Sequence, residues 1–468
     1  MSAPNANEAL RSLWLQAGLP EEALGFAQLT GADPVLPSSF AVGTAAQSTI
    51  AAAALAACEM GHQRGTARQT VSVDMLHAAI ECTGWFSLDG QVPDLWDAFS
   101  GLYRCADGYV RIHANFKHHR EGALRLLGLD PATAQRSDAE QAMLGWRAVD
   151  FETAAAERKL VATALRSFSD WDATPQGQAI AAQPLFTIER IGDAPPLALP
   201  PLPSDARPLS GLRVLDLTRI LAGPVGGKAL AAYGADVLLV NSPNLPNIDA
   251  IADTSRGKLS AHVDLCTADG QATMRGLIGD AHVFVQGYRP GGLTALGFGP
   301  GELAQQRPGI VCVSLTAYGT QGPWAGRRGF DSLVQTAMGF NRAEGEAAAA
   351  GAHGSDIKPR PLPMQILDEA TGYLIAFGAA VALRRQQREG GSWHVQVSLA
   401  QTGQWLRSLG RVDDGFDVPK ADPSPWVEAS ASGFGALLAV RHSAILDRTP
   451  AHWPRPSEPP GRHKPAWP

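Results

Sequence analysis

The stretch that decides the fold is residues 212–240, LRVLDLTRILAGPVGGKALAAYGADVLLV. LRVLDL is a near-continuous apolar run, the pattern of a strand buried on both faces. A loop, TRILAGP, follows, then a helix over Val225–Tyr233 and a second buried strand, DVLLV. Outward from here, the residues predict strands at Ala261–Leu265, Ala281–Gln286 and Ile310–Leu315, with helical runs at Gly270–Ile278 and Gly301–Gln306 between them. Strands alternating with helices specify an α/β fold with a doubly wound, parallel, Rossmann-like sheet and right-handed crossovers. No GxGxxG follows the first strand, so nicotinamide or flavin binding is not supported. A ligand is still expected at the carboxyl ends of the strands.

Further along lies residues 361–403, PLPMQILDEATGYLIAFGAAVALRRQQREGGSWHVQVSLAQTG. Tyr373, Leu374, Phe377 and Val381 recur at helical spacing, predicting one helix over Glu369–Gln387. Basic Arg384, Arg385 and Arg388 suit its last turns, and Gly390 and Gly391 stop it. Trp393–Leu399 then alternates as a strand. Asp368 stands directly before the helix, where an aspartate ordinarily serves as N-cap.

Before the opening stretch the chain is Pro-rich and polar, DAPPLALPPLPSDARPLSG, an extended linker. Residues 102–192 read as a smaller mixed α+β domain. It opens with a hairpin turning at Asp107-Gly108, and helices follow at Gly122–Leu127, Ala139–Leu144 and Phe151–Phe168. His113, His118 and His119 lack the spacing of a helical zinc motif and are expected to face substrate or solvent, so no metal is expected. Thr44–Arg64 forms a long helical run ended by Gly65, and Gln69–Met75 (QTVSVDM) a strand. This helix, turn and VxV strand echo Ala370–Leu399; setting Val71 against Val395 places Thr44 opposite Asp368, as in a duplication whose first copy has lost the carboxylate. The expected division is a truncated first copy over 1–192, a linker over 193–210, a ligand-binding half over 211–410 and an irregular tail over 411–468, docked through Trp426, Trp453 and Trp467.

Charged residues make up 18% and hydrophobic ones 45% of 468 residues, a globular balance with ample core. A net charge of −6 offers nothing to nucleic acid. MSAPNANEALRSLW lacks a secretory pattern, and Ala-rich Ala45–Ala57 is too short to cross a bilayer, so no membrane association is expected. Five dispersed cysteines without a CxxC pair fit reduced thiols in a cytoplasm.

Over Leu209–Gly410 these motifs closely resemble the family III CoA-transferases, the superfamily of formyl-CoA transferase, carnitine CoA-transferase and α-methylacyl-CoA racemase. The resemblance implies an acyl-CoA:carboxylate CoA-transferase with no permanently bound cofactor. CoA or acyl-CoA and a carboxylic acid would be its substrates, and a homodimer, interlocked as in the family, its assembly. LPMQILDEATGY implies Asp368 as the nucleophile, attacking a thioester to give an aspartyl anhydride and then an aspartyl-CoA thioester. The helix N-terminus is expected to keep it ionised. LSGLRVLDLTRILAGP implies CoA contacts at Arg219, Ile220, Leu221 and Ala222; SRGKLSAHVDL implies Lys258 near the CoA phosphates; VQGYRPGGLTALGF implies Gly287, Tyr288, Arg289 and Gly291 along the CoA channel. Arg327 and Arg328, in GPWAGRRGFDSLVQ, are equally well solvated surface charges or CoA contacts. Asp331 stands where the racemase branch has its acid/base aspartate, but Phe330 replaces the preceding histidine. Two departures bear on activity: Asn241-Ser242-Pro243 after the second strand, and DGQVPDLWDAFSG, with Trp96, in place of a glycine-rich active-site loop. A racemase and a non-catalytic CoA-binding protein are the alternatives.

Overall fold

The computed structural model describes residues 5–349 and 358–468; the first four residues of the N-terminal stretch read above fall outside them. A seven-stranded sheet contains β1 (Phe186–Gly192), β2 (Arg213–Leu217), β3 (Asp236–Asn241), β4 (Lys258–His262), β5 (Val283–Gln286), β6 (Val311–Thr316) and β7 (Ser392–Ser398), in the order β4-β3-β2-β5-β6-β7-β1. β2 to β7 are parallel, and β1 closes the edge antiparallel to β7. From β2 on, this is the doubly wound arrangement that the alternating pattern predicts, and its switch point lies between β2 and β5.

Val214, Val283, Val285 and Val313 face one core layer, and Leu215, Phe284 and Cys312 face the other, as the period of two requires. On the first face pack α1 (Val42–Gln63), α2 (Ala222–Ala232), α3 (Asp331–Met338), α4 (Ile366–Glu389) and α5 (Leu399–Ser408). α4 is long and apolar enough to cross a bilayer, but its apolar length is buried inside the protein. α2 and α4 touch backbone to backbone. A Cβ on Gly226 would lie 2.8 Å from the Gly372 carbonyl oxygen, and one on Gly372 2.7 Å from that of Ala222. Both positions therefore need glycine.

The small domain has its own sheet, Gly101–Cys105, Gly108–Ile112 and Ala162–Ala164, and its own core around Tyr103, Val110 and Phe151. The turn at Asp107-Gly108 is where the sequence puts it. The single helix expected over Phe151–Phe168 is instead a helix Ala148–Glu157, a left-handed Lys159 and a strand. The tail is not irregular throughout: Val427–Ser432 and Gly435–Val440 form a hairpin, with Ala444–Leu446 beyond it.

A second, three-stranded sheet repeats the edge of the first. Val71–Asp74 runs parallel to Ala27–Thr30 and antiparallel to Ala444–Leu446, as β7 runs parallel to β6 and antiparallel to β1. Asp74 caps the helix after its strand through the His77 N–H (3.0 Å), and Ser398 caps α5 through the Gln401 N–H (3.1 Å). Asp33 accepts the Gly43 and Thr44 N–H groups at 3.0 and 2.8 Å, as Asp331 accepts that of Asp368 at 2.9 Å. α1 and α4 lie side by side, Gln63 Nε2 donating to Gln387 Oε1 at 2.7 Å. The return strands are exchanged: β1 follows the first helix–strand unit but pairs with the second, while Ala444–Leu446 follows the second and pairs with the first.

Candidate active site

The turn after β2 is built by a sealed ion pair. Lys258 Nζ lies 2.9 Å from Asp216 Oδ2 and donates to the Pro224 carbonyl at 2.7 Å, and neither charged side chain reaches solvent. Asp216 in turn accepts the Thr218 N–H and hydroxyl. Gly227 leaves room for the pair, since a Cβ there would sit 2.2 Å from Asp216 Oδ2. Lys258 thus lies outside the cavity lining, where the expectation put it near phosphates; the SRGK turn points it inward to Asp216. The chain then enters a left-handed residue at Ile220 (φ 78°). A β-branched side chain there stores roughly 1–3 kcal/mol of strain, held by the surrounding bonds.

This turn opens onto a cavity of about 310 Å3 at the carboxyl ends of β2, β5 and β6, beside the switch point. Arg219, Ile220, Gly287, Tyr288 and Arg289 line it as expected, together with Arg327 and Arg328. Gly291 lines a small adjoining cavity with Arg289, while half-buried Leu221 caps α2 and buried Ala222 begins it, and neither lines a cavity. A Cβ on Gly287 would meet Leu315 at an ordinary 3.6 Å, so packing alone does not demand glycine there. Phe116, His118 and His119 of the small domain form the opposite wall. His119 lies 2.9 Å from an Arg328 Nη, and burial, then His118 and Arg328, push its imidazolium down to about 3. Both histidines stay neutral at ordinary pH, so the positive charge in the wall is arginine. Four guanidiniums around one cleft suit a polyanion.

Behind Phe330, which stacks on His113 at 4.0 Å, lie two carboxyls, Asp331 and Asp368. Asp331 begins α3 and is fully buried; Asp368 retains 8% exposure. The helix carrying Asp368 begins earlier than predicted, at Ile366 with Gln365 as N-cap, so Asp368 occupies its third position and caps nothing. Asp331 takes the cap's role from outside, accepting the Asp368 N–H at 2.9 Å and that of Leu367, with Gln335 beside it. Burial pushes the Asp331 carboxyl up to about 7, and lifts that of Asp368 well above the carboxylate range with the Asp331 charge adding to it. At Asp368 desolvation, which favours the neutral acid, thus works against the helix N-terminus, whose dipole is worth roughly 0.3–1 kcal/mol. The small domain answers with Arg111, whose charge bears on Asp331. Sequence reasoning missed Arg111 and treated Phe330 only as a departure. The available signal was an arginine and a histidine two apart, on one face of the strand YVRIH.

The profile of CoA-transferase family III matches residues 18–199 and 209–410. A probable fatty acyl-CoA transferase of Mycobacterium tuberculosis is 33% identical over 280 residues, covering 54% of this chain and 68% of that protein. The succinate–glutarate CoA-transferase of Agrobacterium fabrum is 32% identical over 217 residues, covering 42% and 52%. A crystal structure from M. tuberculosis, 33% identical, covers 44% of this chain and 58% of its own, with a TM-score of 0.38. The chain spans about half to two thirds of the length of these relatives. With both of its matched segments taken together, the chain belongs to CoA-transferase family III.

Proposed function

We propose that the protein is an acyl-CoA:carboxylate CoA-transferase with Asp368 as its covalent nucleophile. The observation that carries this reading is the buried Asp331–Asp368 pair beside an arginine-lined cavity at the sheet's switch point. Arg219, Arg289 and Arg328 would hold the CoA phosphates, with Tyr288 and Ile220 against the rest of the molecule.

CoA transfer between acids is nearly neutral in energy, so every intermediate must keep the thioester's free energy. A serine ester would lose it; a carboxylate keeps it. Ionised Asp368 attacks the thioester carbonyl, giving a mixed anhydride and CoA thiolate. The thiolate attacks the aspartyl carbonyl, giving the aspartyl-CoA thioester and releasing the donor acid. The acceptor carboxylate then attacks that thioester, expelling thiolate and forming a second anhydride. Attack of the thiolate on the acyl carbonyl gives the new acyl-CoA and frees Asp368. Because burial favours the neutral form of Asp368 and the first step needs the carboxylate, the rate should rise with pH.

We also read the interlocked pair expected of a homodimer as built within one chain. The repeated capping, the paired α1 and α4 and the exchanged return strands support two copies, of which only the second carries the carboxylate. Its five thiols are all free, as a reducing cytoplasm requires.

A screen of acyl-CoA donors against carboxylic acids, read by mass spectrometry, tests the proposal: new acyl-CoA products are expected, and none across a broad panel would overturn it. One observation favours a racemase instead, Asp331 poised near 7 for proton exchange. Deuterium uptake by a 2-methylacyl-CoA in heavy water without an acceptor acid would select that reading.

A further inference from the structure

Arg111 lies within the small-domain strand Gly108–Ile112, only 7% exposed. Its guanidinium makes no hydrogen bond or ion pair among the described residues, and its Nε is sealed from solvent without a partner. A buried cation left unmatched is costly, and proteins pair such groups or keep them for an arriving counter-ion. Other buried arginines here follow the first course: Arg166 bonds Glu152 at 2.5 Å, and Arg256 bonds Asp253 at 2.5 Å.

The surroundings of Arg111 narrow the counter-ion. The guanidinium lies 5.4 Å from the Trp96 ring, which is half exposed and meets His113 edge-on at 5.9 Å. His113 Nδ1 is likewise buried without a partner, and its ring stacks on Phe330 in the cavity wall. Asp331 follows Phe330 and holds the Asp368 N–H, and the Arg111 and Asp331 charges act on each other, so Arg111 lies near the carboxyl pair. A guanidinium without a hydrogen-bonded partner, set against an indole face, suits a small, flat anion with an apolar body. It offers little to a phosphate chain, which the open arginine-lined cavity already serves.

We propose that Arg111, framed by Trp96 and His113, seats the carboxylate of the acid substrate against Asp368. The inference rests on the transferase reading and deepens it: one group of cations takes CoA, and this separate one takes the acid. A guanidinium fork engages a carboxylate through two parallel N–H donors, fixing its plane as well as its charge. Trp96, in the segment that replaces the family's glycine-rich loop, then lies over the acid's body.

Arg111→Met and Arg111→Lys of the full chain, first checked for an unchanged melting curve, test this in two halves. The donor half uses acyl-CoA with hydroxylamine and no acid, reading thiol release; the complete reaction varies the fastest acid from the screen at saturating acyl-CoA. Arg111→Met should raise KM for the acid roughly 10- to 100-fold, leaving donor-driven thiol release and CoA affinity within about three-fold. Arg111→Lys, which keeps the charge but not the fork, should fall between it and the parent. An unchanged KM overturns the seat. So does an equal loss in both halves, the mark of a structural role, or a shifted pH profile at constant KM, the mark of action on Asp331 alone. Absence of thiol release in the parent itself overturns the transferase reading, and the seat with it.

Discussion

Lys258→Met should unfold the protein more easily without loosening CoA. Lys258 and Asp216 are both wholly buried and bonded at 2.9 Å, and Lys258 also satisfies the Pro224 carbonyl. Removing the ammonium leaves Asp216 charged, sealed from water and answered only by Thr218. Breaking one side of a buried pair costs about 3–5 kcal/mol, because the partner's desolvation is no longer offset. For a chain of this length that is a fall in melting temperature of about 3–5 °C. Differential scanning fluorimetry reads the melting point, and calorimetric titration well below it reads CoA affinity, expected to stay within a few-fold. The double variant Asp216→Asn/Lys258→Met removes the stranded charge and should regain much of the loss. A Lys258→Met protein that melts like the parent but no longer binds CoA would refute the reasoning and return Lys258 to the ligand.

The arginines in the cavity wall carry the opposite expectation. Arg219→Ala or Arg328→Ala should weaken CoA binding by about 1–2 kcal/mol, and less at high salt, with little change in melting; equal affinity in both would refute the assignment. Asp331 and Asp368 have raised values when folded, so the folded protein holds protons that the unfolded chain has already lost. The contribution of Asp331 to stability is full below ~3.9 and is lost as pH rises through about 7, and that of Asp368 is lost in the same direction, above the ordinary carboxylate range. Transfer rate should rise as Asp368 ionises, and Asp331→Asn, which removes the like charge, should move that rise to lower pH. An unmoved pH–rate profile would contradict this. Residues 1–204 and 205–468 made separately should each expose apolar surface along α1 and α4 and be poorly soluble and inactive, with co-expression restoring transfer. A stable, active monomer of 205–468 would count against the shared architecture.

What the sequence carried was whatever periodicity encodes. The buried runs LRVLDL and DVLLV became adjacent strands, and the TRILAGP loop became the rim of the cavity, because a strand buried on both faces leaves few alternatives. Residues whose role depends on direction were less legible. Lys258 follows a turn suited to phosphates, yet Asp216, far away in sequence, draws it into the core. The cap of α4 could not be read because it comes from Asp331 through tertiary contact, and the obvious local candidate, Asp368, moves one turn inward. Arg111 was hidden for a related reason: it reads as an ordinary polar residue of a hairpin, and only its burial beside Trp96, with Nε left without a partner, sets it apart. The tail's hairpin was obscured by prolines and serines that favour loops, and its return strand by being only three residues long.

The most direct measurement is the chemical state of Asp368 during turnover. The protein is incubated with acyl-CoA and quenched in hydroxylamine, then digested and examined by peptide mass spectrometry. A hydroxamate should appear at Asp368 in the peptide containing LPMQILDEATGY, and be absent without acyl-CoA. Asp368→Ala should bind CoA within a few-fold of the parent yet neither form the adduct nor transfer CoA. An adduct at another residue, or normal turnover by Asp368→Ala, would contradict the account.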